Sequence, residues 1–278
     1  MWRSFRTAAW LGWQIESNWT DPLLFALYSI VKPLAMAGIL VVLYAIATHG
    51  DFSSSTFASM YVGNAFYGYV SAVMVGMVLA VLDDRERYQT LRSVYVAPID
   101  VRCYLAGRGV ARFLIATVSV VITIAFGAFF LHVRIRLLEV AWPLLLVTFA
   151  IGVVMLAVLG EILAALALLL PESGWSMGEG VAGALYLFTG AIFPIDVLPA
   201  WLRPIGYATP ITYWLELLRR ALLGPERSFA TFAQWSDGQL LRALVALTAV
   251  LSAVALLAFH VCDRVARERG MIDRTSAH

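Results

Sequence analysis

The feature that most constrains this chain is its succession of long apolar runs. Six stretches stand out: Leu23–Ala47, Phe57–Leu82, Gly107–Leu131, Ala141–Leu170, Met177–Ile195 and Gln239–Val261. A hydrocarbon core about 30 Å thick is crossed by roughly 20 helical residues at 1.5 Å each. In lipid the backbone has to satisfy its own polar groups, so each run is read as a helix, and the alternation of a membrane barrel is missing. Composition agrees, with 61% hydrophobic and 14% charged residues, where a soluble domain carries about 25% charged. A soluble fold of this size needs a larger polar skin. An ordinary soluble enzyme, a disordered chain and a nucleic-acid-binding module are thereby excluded. The expected fold class is an all-α integral membrane protein, one domain over residues 1–278 with six transmembrane helices.

Charge sets the orientation. With the N-terminus inside, the inner segments carry Arg3, Arg6, Arg85, Arg87, Arg92, Arg102, Arg108, Arg112, Arg264, Arg267, Arg269 and Arg274. The outer ones carry fewer: Arg134, Arg136, Arg203, Arg219, Arg220, Arg227 and Arg242. The first outer loop, Thr48–Thr56, has no basic residue. The positive-inside rule then places both termini in the cytoplasm. On that topology Cys103 and Cys262 face a reducing compartment, where no disulfide is expected. The sequon Asn18-Trp19-Thr20 is cytoplasmic on the same model.

Residues 1–20 are expected to form an interfacial helix. Trp2, Phe5, Ala9 and Trp13 recur at helical spacing, with Arg3, Arg6 and Glu16 elsewhere. That pattern suits a helix lying among membrane lipids at the headgroup level, and Pro22 suits the start of the first span. A seventh apolar region, Val197–Leu223, is broken by Pro199, Pro204, Gly206 and Pro210 and carries Arg203, Glu216, Arg219 and Arg220. It reads as short helices re-entering the outer leaflet, or as an outer amphipathic loop.

Two ionisable residues fall inside spans, Lys32 and Glu161. Charges at that depth are costly and mark functional candidates. A Lys32–Glu161 pair neutralises both; the other reading is a substrate or proton role for Glu161. Glu179 sits near the start of the fifth span, where a helix N-terminus favours it. Gly174-Trp175-Ser176-Met177-Gly178 matches a nucleophile-elbow pattern without its strand or a neighbouring His, and reads as a turn between spans. His and Cys are too scattered for a metal site, and no cofactor is expected on this chain. Lys32 is the only Lys and Pro33 follows it, so there is no phosphate-binding G-x-x-x-x-G-K-[ST] loop. Ala72, Gly76 and Ala80, then Gly180 and Ala184, are small residues spaced for close helix packing within the chain or between two copies.

The most polar inner loop runs Asp83-Asp84-Arg85-Glu86-Arg87-Tyr88-Gln89-Thr90-Leu91-Arg92-Ser93-Val94-Tyr95-Val96-Ala97-Pro98. Residues 84–98 are expected to form one short helix, capped by an Asp, with Leu91, Val94 and Tyr95 on one face and Pro98 at its end. It suits either docking of a soluble partner or a solvated loop that fixes topology. Here the chain resembles the ABC-2 type permeases, membrane subunits of ATP-binding-cassette exporters. Their loop typically reads E-R-x-x-G-T-L-E-x-L-x-x-x-P, matched here by Glu86-Arg87, Thr90-Leu91 and Pro98, with Gln89 at the usual Gly and Arg92 at the usual Glu. A later pattern, G-x-x-F-P, P-x-W-L, P-x-x-Y and an Arg, is matched by Gly190–Pro194, Pro199–Leu202, Pro210–Tyr213 and Arg219. Asp21-Pro22 and Lys32-Pro33 are looser matches near the first span.

The resemblance implies a transport subunit without catalysis of its own, in a bacterial cytoplasmic membrane. Two copies, or this chain and a related permease, enclose a pathway, and a separate ABC ATPase subunit holds ATP and Mg. Glu86, Arg87, Thr90, Leu91 and Pro98 then form the ATPase-coupling element. Pro194, Pro199, Trp201, Pro210, Tyr213 and Arg219 form the outer gate. The substrate stays open among drugs, lipids, glycans and peptides. The residues alone also admit an ion-coupled transporter centred on Lys32 and Glu161, or a membrane-embedded enzyme.

Overall fold

A computed structural model describes residues 2–17, 22–48, 52, 54–133, 139–170, 174–224 and 229–271. Within them the chain is helical, without strands. The helices are α1 (Trp2–Ser17), α2 (Pro22–Thr48), α3 (Ser55–Leu82), α4 (Leu91–Val96), α5 (Val101–Phe129), α6 (Trp142–Leu169), α7 (Gly174–Phe188), α8 (Arg203–Ala208), α9 (Pro210–Leu223) and α10 (Asp237–Glu268).

Local chemistry sets the boundaries. Ser54 opens α3 by accepting from the Phe57 amide at 3.1 Å. Asp100 opens α5 by accepting from the Arg102 and Cys103 amides, and Ser236 with Gln239 forms a capping box at α10. Each cap satisfies amides that a first helical turn leaves without partners. Among the described residues, four helical stretches are long and apolar enough to cross a membrane: Ser55–Arg87, Val101–Phe129, Trp142–Leu169 and Asp237–Glu268. The most apolar window of the first is 72% buried, against 22–28% in the other three, so α3 is the central pillar. α5, α6, α7 and α9 pack around it; α1 lies along α5, and α10 packs on α6 and α9. Large apolar side chains such as Leu43, Val121, Leu146 and Leu257 face outward. A helix apolar on its outer face as well suits lipid.

Two expected boundaries are corrected. The run Met177–Ile195 contains a helix only to Phe188, because Gly190 turns the chain at φ 69 and Pro194 follows in the next loop. At 15 residues α7 is about 22 Å long, shorter than a 30 Å hydrocarbon core. Conversely, α5 begins at Val101, ahead of the expected Gly107. Arg134, Arg136, Arg227, Arg274 and the Asn18–Thr20 sequon lie outside the described residues.

The bundle has two distinct ends. The near end gathers α1, the chain from Asp83 to Asp100, the start of α5 and the ends of α6 and α10. The far end gathers α8, α9 and the start of α10.

Candidate functional site

The near end is built on the polar segment after α3. The helix does not stop at Leu82; it continues as one π-helical turn, Asp83–Arg87, closed by Tyr88 N donating to the Asp83 carbonyl at 2.8 Å. Gln89 then takes a left-handed φ of 51, and α4 begins at Leu91. The expected single helix over 84–98 is therefore two pieces with a left-handed break between them. A side chain is strained in that conformation and glycine is not, which accounts for a Gly at this position of the resembled pattern.

The segment is bolted down by buried charge. Asp84 is fully buried and accepts from Tyr104 Oη at 2.9 Å while facing Arg108 Nη2 at 3.2 Å. Arg85, also buried, reaches the Ala167 and Leu168 carbonyls at 3.3 and 3.5 Å and the Leu170 carbonyl at 3.5 Å. A cation there meets the partial negative charge of the α6 C-terminus. Leu91 and Val94 turn into the core. Tyr95 donates to Asp263 of α10 at 2.8 Å, and Arg267 stacks over its ring at 5.0 Å. Burial and the neighbouring Asp263 carboxylate push the Tyr95 phenol well above its ordinary range, so it stays a donor. Arg112 meets Glu16 of α1 at 2.5 Å with its methylenes over Gly76, where a Cβ would stand 2.6 Å from Arg112 Cγ. Burial lifts the Glu16 carboxyl above its ordinary value, against the pull of Arg112.

The residues expected for coupling divide between anchors and an outer face. Leu91 is buried, Glu86 is half-buried beside Arg85 at 3.5 Å, and Thr90 Oγ1 donates to the Asp84 carbonyl at 3.4 Å. Arg87 and Pro98 are exposed, with Tyr88, Arg92, Ser93 and Val96. Sequence alone does not single out Arg85, Tyr104 and Arg108 as anchors, and it offers Asp84 and Tyr95 only as a candidate helix cap and as part of an apolar face. The signal was present: Arg108 and Arg112 sit at i, i+4 at the start of an apolar run, and an Asp pair ends the preceding span.

Glu161 is paired, but with Arg102 of the first turn of α5. Lys32 lies in α2 and its side chain lies outside the described residues. Arg102 also stacks over Phe259 at 5.7 Å. Gly174–Gly178 is the opening of α7 rather than a turn between spans. Gly180 and Ala184 face outward, and a Cβ on Gly180 would meet nothing within 4 Å; Gly76 packs inside the chain, under Arg112. Among the described residues no group of His, Cys, Asp or Glu is arranged to hold a metal ion.

At the far end, Pro210 starts α9, which is buried from Pro210 to Ala221 between α3, α6 and α10. Arg219 Nε donates to the Ser59 carbonyl at 2.9 Å, and its Nη2 donates to the Gly190 and Ala191 carbonyls at 2.6 and 2.9 Å. Its guanidinium lies 4.3 Å from the Phe229 ring centroid. Arg220 donates to the Trp235 and Phe232 carbonyls and pairs with Asp237 at 3.0 Å. Glu216 meets Arg220 at 3.2 Å and Arg219 at 3.6 Å. Tyr213 donates to the Tyr207 carbonyl. Trp201 is 76% exposed, and Pro194 and Pro199 bracket a short 3-10 turn. These residues thus bind α9 to α3, α10 and the turn after α7. Trp214 completes the link to α6: its indole is fully buried against Gly152, Phe66 and Tyr69.

The model of the ABC-2 type transporter family matches residues 4–223, from α1 to the end of α9. No curated protein matches the chain. The match spans most of the chain, and the helical bundle with its apolar exterior agrees with it. The chain therefore belongs to the ABC-2 type transporter family: it is a multi-pass membrane permease component of an ABC transporter, of a family that is generally non-catalytic and normally works with an ABC ATPase subunit.

Proposed function

We propose that the chain is half of an ATP-driven exporter in a bacterial cytoplasmic membrane, with both termini cytoplasmic. Two copies, or this chain with a related permease, enclose the pathway. α2 and α7 join the four long helices as spans, and α8 and α9 form the re-entrant outer end. A separate ATPase holds ATP and Mg and docks on the segment between α3 and α5. The observation that carries this reading is the division of that segment. Leu91, Val94, Asp84 and Arg85 fasten it to α3, α5 and α6, while Arg87, Tyr88, Arg92, Val96 and Pro98 present an exposed face. A partner can drive the spans only by binding one of their arrangements better than another. A rigid element tied to three spans and α10 is a suitable handle. From Arg85 the connection runs along α6 to Gly152, where Trp214 hands it to the buried α9.

Val96 is 81% exposed, so Val96→Asp leaves the fold intact. The test is co-purification of the tagged chain with its ATPase, followed by nucleotide turnover. The variant is expected to lose at least tenfold of the ATPase association, a cost of about 1.4 kcal/mol, with an unchanged melting temperature. Full association and turnover in the variant would refute this docking face.

A further inference from the structure

We propose that the far end is fastened by a single bound water, held between α9 and the segment before α10; the proposal holds whether or not an ATPase docks at the near end. The structure has a cavity here of about 10 Å³, walled by Glu216 and Arg219 of α9, by Gly190 of the turn after α7 and by Phe229, Thr231 and Phe232 of the segment before α10. Space of that size takes about one water and no larger solute. Two oxygens there, Glu216 Oε2 and Thr231 Oγ1, have no hydrogen-bond partner among the described residues, and both are closed off from bulk solvent. Arg219 has spent its Nε and Nη2 on the Ser59, Gly190 and Ala191 carbonyls. Its Nη1 stands 3.6 Å from Glu216 Oε2, beyond a hydrogen bond.

A buried carboxylate oxygen without a donor is expensive, and protein interiors pair such groups. The wall decides what the partner is. Side-chain oxygens of Glu216, Thr189, Thr212 and Thr231 would suit a small cation by chemistry. Arg219 stands in the same wall, however, and Glu216 already answers two guanidinium groups, Arg220 at 3.2 Å and Arg219 at 3.6 Å. A further positive charge finds no second carboxylate in the wall to balance it. An anion meets the Glu216 carboxylate and is repelled. A water is neutral and both accepts and donates. It accepts from Arg219 Nη1 and donates to Glu216 Oε2 and Thr231 Oγ1, about the usual three partners of a buried water. Thr189 and Thr212 need none, since their hydroxyls donate to the Leu185 and Gly206 carbonyls, each at 2.7 Å. The water is thus the joint through which Thr231 reaches α9 and through which Glu216 meets Arg219.

X-ray radiolysis of the full chain in lipid nanodiscs tests this. Hydroxyl radicals form from a bound water as well as from bulk water and oxidise the side chains beside it, which mass spectrometry reads residue by residue. Phe229 and Phe232 are 7% and 3% exposed; Phe57, 0% exposed and outside the cavity, is the dry reference. Phe229 and Phe232 are expected to oxidise several-fold faster than Phe57. Thr231→Val keeps the shape of Thr without its hydroxyl and is expected to lose most of that oxidation, with a melting temperature lower by about 2–4 °C for one lost hydrogen bond. Thr231→Ser is expected to keep the oxidation. Phe229 and Phe232 oxidised no faster than Phe57 would mean a dry cavity and overturn the proposal. Undiminished oxidation in Thr231→Val overturns it too, because bulk solvent then enters. So does a melting temperature that rises when sodium replaces N-methylglucamine, because an ion then fills the space. Should Thr231→Val fail to fold, the comparison of Phe232 with Phe57 in the wild type and the sodium series decide the matter.

Discussion

The contact between Trp214 and Gly152 gives the sharpest test of how α9 is held. A Cβ on Gly152 would overlap the pyrrole edge of the indole and stand 2.7 Å from its Cδ1. The ring has little room to retreat: Phe66 and Tyr69 meet it edge-on at centroid distances of 6.2 and 6.4 Å. Gly152→Ala is therefore an overpacking substitution, at the upper end of the usual range of about 1–3 kcal/mol. Trp214→Phe removes the clashing edge. Its Nε1 donates to no acceptor among the described residues, so no hydrogen bond is lost. In a membrane protein the remaining loss is van der Waals packing rather than transfer from water, and we expect about 1–2 kcal/mol. The double variant is expected to sit close to Trp214→Phe alone, which gives a favourable coupling of at least about 1 kcal/mol. The assay is thermal unfolding in detergent, followed by a thiol-reactive dye that reports exposure of the buried Cys262. Roughly 2–4 °C accompany each kcal/mol in chains of about this size. Additive effects, within about 0.5 kcal/mol, would show that these residues do not meet as described.

Two further substitutions probe the near end. Gln89→Gly relieves a left-handed residue, worth about 1–2 kcal/mol, and adds freedom to the unfolded chain worth about 0.5–1 kcal/mol. The net expectation is a melting temperature raised by a degree or two, and a lowered one contradicts the break at φ 51. Glu161→Gln removes a pair whose Arg102 side chain is 43% exposed, so its cost is at most about 1 kcal/mol. ATP-dependent activity is expected to stay near the wild-type level; a tenfold loss, or loss of an ion-driven flux, would return Glu161 to the centre of the mechanism.

The contrast between these residues explains what the amino-acid sequence could and could not tell. The long helices were legible because lipid leaves the backbone few alternatives, and α3, α5, α6 and α10 coincide with apolar runs. The start of α5 was not, because Asp100 caps it and its first turns carry Arg102, Arg108 and Arg112, which depress any hydropathy window. Those arginines are accommodated by acids from other elements: Arg108 by Asp84, Arg112 by Glu16 and Arg102 by Glu161. Counting intramembrane charges suggested Lys32 for Glu161. Helical periodicity reports the face on which a charge lies and says nothing about which element is opposite it.

The same limit applies to α9. Its prolines and charges admit a surface loop as readily as an inserted helix, since Glu216, Arg219 and Arg220 at i, i+3 and i+4 look like a solvated face. What reverses that reading is backbone. The turn at Gly190 offers two carbonyls to Arg219, α3 offers Ser59, and the loop before α10 offers Phe232 and Trp235 to Arg220. A charge is tolerated inside when its donors are used. The Gly190 and Ala191 acceptors exist only because α7 stops short at Phe188 and the chain turns. The early end of α7 and the burial of α9 are therefore one structural event: the turn that shortens the fifth apolar run supplies the carbonyls that hold Arg219 in the bundle.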